Sequence, residues 1–389
     1  MNGMVIGFAL IIFAAICGGG FAVPIKLRHR FELENLYVIA AFITMIIVPL
    51  VLAAIVLPHW TTAVSQAGTG VVCRGLAFGF AWGLGAITFG YSISMVGLSV
   101  GYAVIMGINT AVGSILPFIA QSRGSIFQPS SIYVVLGIVG CVFGVAICGM
   151  AGHMRAQNAE ATHATGEAEL TAQKPGAADK KMARGLIFCM ISGVLSACAN
   201  LGFAFTSEVG ASAQRLGASP QISGLGSWML VYWGGFTATL LWFGGQQLRK
   251  GTWRNNLGDG AAHDLVLAVV MGVLWFLAMI PYGMGAYYLG RLGTSVGWAI
   301  NIAASLIIAN GLGFLTGEWK AASTTARRVL FTGLAVLVGA MVLLAKGNSL
   351  APVHEQTKPV ALLRGHLGMP HAHWSAWDME SNYSKIGVE

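Results

Sequence analysis

Charged side chains are scarce in this sequence. Only 9% of the 389 residues are Asp, Glu, Lys or Arg, whereas 56% are hydrophobic. Soluble globular domains carry about 25% charged residues, so most of this chain is expected to lie in lipid. The net charge of +8 could suggest a nucleic-acid partner, but the basic residues stand in short segments between apolar runs. That placement is typical of membrane topology, so we expect a lipid bilayer as partner and no nucleic acid.

Paired cysteines and catalytic motifs are also missing. The six cysteines include no CxxC pair, which argues against a disulfide framework and a metal site. The sequence has no complete phosphate-binding glycine loop, no GxSxG elbow and no HExxH pair. Carboxylates are nearly absent from the apolar runs. We therefore expect no metal, no cofactor and no enzyme, and a membrane enzyme using His29, His153 or His263 is the weaker alternative.

Apolar runs of membrane-spanning length dominate what is present, since a helix needs about 20 apolar residues to cross a bilayer. Ten such spans are predicted, at residues 3–24, 36–57, 73–95, 99–121, 130–152, 184–206, 223–246, 264–288, 294–316 and 328–346. The predicted fold class is an all-α integral membrane protein with ten transmembrane helices.

The ten spans fall into two groups of five. We predict a first five-helix repeat at 1–152, a polar linker at 153–183, a second five-helix repeat at 184–347 and a polar, disordered tail at 348–389. An odd number of spans in each group means that the second repeat enters the membrane from the opposite side. The halves are therefore expected to be inverted repeats, as in carriers that alternate access.

Matching residues support an internal duplication. They stand in the same order in both halves: Trp82, Gly90 and Ser99-Val100-Gly101 in the first, and Trp275, Gly283 and Ser295-Val296-Gly297 in the second. Basic residues predict the orientation, because the segments after the first, fifth, seventh and ninth spans are the basic ones. These segments fall on one side of the membrane, which the positive-inside rule makes cytoplasmic. Both termini are then expected outside.

Uncharged polar and aromatic side chains share helix faces inside the spans. Asn109 stands seven residues after Tyr102, and Asn301 stands three after Trp298. An amide in hydrocarbon is costly unless it is partnered, so these amides bond either neighbouring helices or a ligand. Trp228, near the start of its span, is interpreted as an interfacial anchor.

Aromatic faces beside amides suit a neutral, polyhydroxylated ligand, since rings can pack on sugar C–H groups while amides bond hydroxyls. An anionic substrate would favour buried Arg or Lys, and a cation would favour a buried carboxylate. We expect the substrate near the midplane, where the two repeats face each other. The predicted substrate-binding residues are Trp82, Tyr91, Asn109, Trp275, Tyr282, Trp298 and Asn301.

Three segments resemble a known family. AWGLGAITFGYSISMVGLSVGYAVIMGINTAVGSILPFI, VPIKLRHRFELENLY and GEWKAASTTARR are similar to the third and fourth helices, the first loop and the last loop of the L-rhamnose/proton symporter family, within the drug/metabolite transporter superfamily. The likeness extends through residues 1–347. It implies an inner-membrane carrier of ten helices, arranged five plus five, that imports a deoxy sugar with protons.

One departure from the family concerns proton coupling. Family members carry acidic and histidine side chains around the junction that reads GRLGTSVGWAIN here, at residues 290–301, and this chain has neither. Glu318 is the remaining candidate for the coupling residue. The alternative is that Glu318 forms an ion pair with Arg327 or Arg328 at the helix end. We predict a secondary transporter importing a small neutral sugar, with L-rhamnose and a proton as the first candidates. The alternative is another carrier of the superfamily, for import or export of a metabolite.

Overall fold

A computed structural model describes residues 3–351, except 22, 97, 123–127, 164–176, 258–260, 316, 318 and 321. Every regular element in that part is helical. The α-helices are α1 Gly3–Gly20, α2 Val23–Leu27, α3 Leu33–Phe42, α4 Val48–Val56, α5 Trp60–Ala67, α6 Thr69–Val96, α7 Leu98–Ser122, α8 Pro129–His163, α9 Ala177–Ala204, α10 Ser207–Arg215, α11 Leu225–Thr239, α12 Gly245–Lys250, α13 Ala261–Leu289, α14 Gly293–Leu315 and α15 Thr324–Ser349.

The described part contains eight segments long and apolar enough to cross a membrane, by length and composition. The prediction of an all-α, multi-pass membrane protein is confirmed at this level. One segment, Ala261–Leu315, holds two of the predicted spans, separated by a short 3₁₀ turn at Gly290–Leu292. The predicted linker is helical at both ends, since α8 continues to His163 and α9 begins at Ala177. Most of the predicted tail, from residue 352, lies outside the described residues.

Two of the predicted spans contain a π turn. Ile43–Ile47 joins α3 to α4, and Leu240–Gly244 joins α11 to α12. Pro49 explains the first turn, because proline has no N–H to bond the carbonyl of Met45 and the ladder must be displaced. The second turn ends at Gly244, beside Gly245, where glycine weakens the helix.

The helices of the two halves interleave. Helix α6 packs between α9 and α11, α1 packs against α13 and α14, α7 lies against α8, α9 and α14, and α8 runs along α15. Helices α6 and α11 approach each other closely, because a side chain at Gly79 would collide with the carbonyl of Val231, and one at Gly234 with that of Leu76. The interior between these helices holds Trp228, Tyr232, Tyr282 and Trp298, each at most 2% exposed.

Candidate functional site

Six aromatic side chains form a continuous series of ring contacts through the interior, which we call the aromatic row. In order it contains Trp298, Tyr282, Trp228, Tyr232, Trp82 and Trp275. Successive ring centroids are between 5.3 and 6.3 Å apart, within the range of favourable aromatic contacts. Trp298, at one end of the row, is buried, whereas Trp82 and Trp275, at the other end, are half-buried. The row is therefore more accessible at the end formed by Trp82 and Trp275.

Several buried polar atoms near the row have no hydrogen-bond partner. In the part of the chain that the structure describes, seven such atoms belong to α7, α11 and α14: Asn109 Oδ1, Ser114 Oγ, Trp228 Nε1, Tyr232 Oη, Ser295 Oγ, Trp298 Nε1 and Asn301 Oδ1. A buried, unpaired polar group costs about 1–3 kcal/mol. The set includes donors and acceptors, so it matches a ligand whose hydroxyls both give and receive hydrogen bonds.

A neighbouring network is fully paired and holds the site in shape. The Asn200 amide, on α9, donates from Nδ2 to the carbonyls of Gly113 (2.7 Å) and Thr294 (2.9 Å). Its Oδ1 accepts from the Tyr282 hydroxyl at 2.5 Å. One amide therefore joins α7, α9, α13 and α14, and it fixes the Tyr282 ring within the aromatic row.

Gly113 positions the Trp298 indole. A side chain at Gly113 would collide with Trp298 Nε1, so the indole lies directly on the backbone of α7. Asn109 precedes Gly113 by about one turn on α7, and Asn301 follows Trp298 by about one turn on α14. Both amides thus lie close to the contact between the two helices.

The structure brings six of the seven predicted binding residues to this region. Trp82, Trp275, Tyr282 and Trp298 belong to the aromatic row, and Asn109 and Asn301 are buried on the two helices that Trp298 joins. Tyr91 is placed differently: its side chain is 47% exposed and its ring contacts Trp242 at 5.9 Å. Glu318, the predicted coupling residue, lies outside the described residues.

Trp228 and Tyr232 were missing from the predicted set, although they form the middle of the row. The interpretation of Trp228 as an interfacial anchor is wrong, since the side chain is 1% exposed and stacks on Phe203 at 4.9 Å. The spacing of four between Trp228 and Tyr232 puts both on one face of α11. That spacing could have indicated a shared role.

A second polar region, which we call the polar clasp, joins residues 28–35 to five residues of the second half: Gln247, Lys250, Thr252, Asn256 and Asp264. The buried Asp264 carboxylate accepts from the backbone N–H groups of His29 (3.0 Å), Arg30 (2.6 Å) and Phe31 (2.7 Å). These bonds hold the loop after α2 on the start of α13.

The clasp continues along α3. Glu34 is 3% exposed, pairs with Lys250 at 3.2 Å and accepts from the Thr252 hydroxyl at 3.1 Å. Asn35 donates to the Thr252 carbonyl at 2.8 Å. Two residues later along α3, the ring of Tyr37 contacts that of Trp275, with their centroids 6.4 Å apart. The clasp therefore adjoins the accessible end of the aromatic row.

Long apolar helices around an interior with aromatic faces and unpaired polar groups define a multi-pass membrane transport protein. Comparison with known sequences identifies its family. The family described as L-rhamnose-proton symport protein (RhaT) matches residues 1–349, so the chain belongs to that family and is a transporter, not an enzyme.

Individual relatives are distant but match over nearly their whole length. The chain is 23% identical over 350 residues to an L-rhamnose-proton symporter of Pectobacterium atrosepticum, covering 87% of this chain and 96% of the relative. It is 21% identical over 347 residues to an L-rhamnose-proton symporter of Yersinia pestis strain Pestoides F, with 87% and 96% covered.

Proposed function

We propose that the protein imports a small neutral sugar, L-rhamnose before others, together with protons across a bacterial inner membrane. The observation that carries the proposal is the group of unpaired polar atoms beside the aromatic row. A sugar would pack its C–H faces on the rings and exchange hydrogen bonds with the indole N–H groups and the amide oxygens. Family membership and the names of the relatives support the same substrate.

The substrate site in this proposal contains Trp82, Asn109, Trp275, Tyr282, Trp298 and Asn301, with Trp228 and Tyr232 added. Tyr91 stays among the proposed binding residues, although its ring contacts Trp242 in this structure and does not belong to the aromatic row. The half-buried pair Trp82 and Trp275 would be the first rings to meet an entering sugar.

Helix packing supports ten spans in two inverted repeats. Ala261–Leu315 accounts for two spans, and the continuous helical stretch from α11 to α12 accounts for one more. Packing partners correspond between the halves. The first helix of the first half, α1, packs on α13 and α14 of the second half, and the first helix of the second half, α9, packs on α6 and α7 of the first half. The matching residues Trp82 and Trp275 contact each other, as expected for residues close to a two-fold axis.

We further propose that both termini lie outside and that the polar clasp faces the cytoplasm. The clasp contains Arg28, Arg30 and Lys250, and it lies between segments that the positive-inside rule assigns to the cytoplasm. A C-terminal fusion to a reporter that is active only in the cytoplasm should therefore give no signal.

Proteoliposome uptake of radiolabelled L-rhamnose tests the transport proposal. We expect accumulation above the external concentration under an imposed inward proton gradient, and equilibration without it. A panel of other neutral sugars should compete more weakly. Folded protein that transports none of these sugars would contradict the substrate and favour another solute of the same superfamily. Unchanged gradient-driven uptake by Glu318→Gln would exclude Glu318 as the coupling residue.

A further inference from the structure

Two histidines outside the substrate site come together at the polar clasp. The rings of His29 and His263 stack with their centroids 4.5 Å apart and their planes at 6°. The nearest ligand atoms of His29, His263 and Asp264 all lie within 4.8 Å of one another. His29 belongs to the loop after α2 and His263 to the first turn of α13, so the pair links segments that are distant in the sequence.

Asp264 is placed to orient His263 rather than to bind an ion itself. Its two oxygens already accept the three backbone N–H groups of the clasp, and Oδ1 lies 2.9 Å from His263 Nδ1. A carboxylate at that position favours the tautomer in which Nδ1 carries the proton. Metal-binding histidines commonly donate their other ring N–H to a carboxylate in this way, which leaves Nε2 with a free lone pair.

The two imidazoles are exposed. The His263 side chain is 51% exposed, whereas Asp264 beneath it is fully buried. Tetrahedral zinc with Zn–N bonds of about 2.0–2.1 Å holds two nitrogens about 3.3 Å apart. Parallel rings must therefore tilt toward a common point, and their exposure allows this movement while the buried carboxylate keeps its place.

We propose that His29 and His263 bind a divalent transition-metal ion of the zinc class, with Asp264 positioning His263 and water completing the coordination. Imidazole nitrogen suits zinc, copper and nickel ions. The Arg28 guanidinium donates to the carbonyls of Ile25 and Phe31, so its charge lies on the same loop and weakens the site without occupying it. The bound ion would tie the loop after α2 to α13.

Isothermal titration calorimetry with zinc tests the site. The full chain is purified with an affinity tag that contains no histidine. We expect His29→Ala and His263→Ala each to weaken zinc binding at least about tenfold. His153→Ala is the matched control with an exposed histidine elsewhere. A variant with His354→Ala, His366→Ala, His371→Ala and His373→Ala removes the tail histidines and should retain the site.

Copper substitution gives a readout that does not depend on affinity. Electron paramagnetic resonance of the copper-loaded protein should show coupling to two imidazole nitrogens, and to one in either single variant. Unchanged zinc affinity in both single variants, or loss of binding in the tail variant alone, would overturn the proposal.

A transport consequence follows, and it rests on the proposed function. If the loop after α2 must leave α13 during the cycle, zinc should slow sugar uptake in the wild type and not in His263→Ala. Zinc binding without any sugar uptake would leave the metal site standing and contradict the transport proposal, so the two failures are distinguishable.

Discussion

The aromatic row and the polar clasp differ in how their polar groups are satisfied. At the clasp, both oxygens of Asp264 are paired, and the Glu34 carboxylate has a cation and a hydroxyl. Around the row, four buried polar atoms have no partner among the residues that the structure describes: the indole nitrogens of Trp228 and Trp298 and the amide oxygens of Asn109 and Asn301. Paired groups stabilise the fold, whereas unpaired groups are tolerated where a ligand completes them. The comparison therefore distinguishes side chains that stabilise the fold from side chains that are available to bind a ligand.

The largest effect is expected from removing an unpaired amide. Asn301→Ala and Asn109→Ala should each reduce sugar uptake to background without lowering the melting temperature, because neither amide oxygen has a bond to lose among the described residues. Uptake in proteoliposomes and thermal unfolding in detergent check this. Asn310→Ala is the control, since its Nδ2 donates to Leu306 within α14 at 2.9 Å and should not affect uptake. Full uptake by both variants would remove the amides from the site.

Asp264→Ala should have the opposite outcome. Three backbone N–H groups lose their acceptor, which costs about 2–4 kcal/mol after allowing for water at the exposed positions. The melting temperature should fall by several degrees, and sugar affinity of the folded protein should stay the same. Asp264→Asn keeps one acceptor oxygen, so its melting temperature should lie between those of the wild type and Asp264→Ala. An Asp264→Ala protein as stable as the wild type would contradict the clasp.

Two tyrosines allow the same chemical change at a paired and an unpaired hydroxyl. Tyr282→Phe leaves Asn200 Oδ1 without its donor and should destabilise by about 1–2 kcal/mol. Tyr232→Phe removes a hydroxyl that has no partner within the described part of the chain, so stability should not fall and sugar affinity should fall about fivefold, equivalent to about 1 kcal/mol. Melting temperature and equilibrium sugar binding distinguish the two variants. If Tyr282→Phe and Tyr232→Phe had the same effect on both quantities, the distinction between paired and unpaired hydroxyls would be contradicted.

The smallest effect is expected at the rim of the clasp. Lys250 is 54% exposed, so its pair with Glu34 is partly screened by solvent. Lys250→Ala should cost less than about 1 kcal/mol, and salt should reduce the difference from wild type. A loss as large as that of Asp264→Ala would show that the whole clasp depends on this pair.

Much of the fold and part of the site could be predicted from the sequence. The apolar runs predict membrane helices because bilayer thickness fixes their length. The duplication matched Trp82 with Trp275 as equivalent positions of the two halves, and in the structure their rings are in contact. Helical spacing, however, shows only which residues share a face, not which neighbour that face meets. Trp228 therefore looked like an anchor, and the three donors to Asp264, more than 230 residues away, left no local pattern.

The π turns have a consequence for tolerance to substitution. A turn with one extra residue rotates all later side chains by about 100° relative to an uninterrupted helix. The buried residues Ala41, Met45, Pro49 and Ala53 accordingly stand four positions apart through the turn, whereas an uninterrupted α-helix repeats about every 3.6 residues. A tryptophan scan along residues 33–56 should show two separate periodic patterns of lost expression, out of phase at Ile43–Ile47. The same break in phase is expected at Leu240–Gly244.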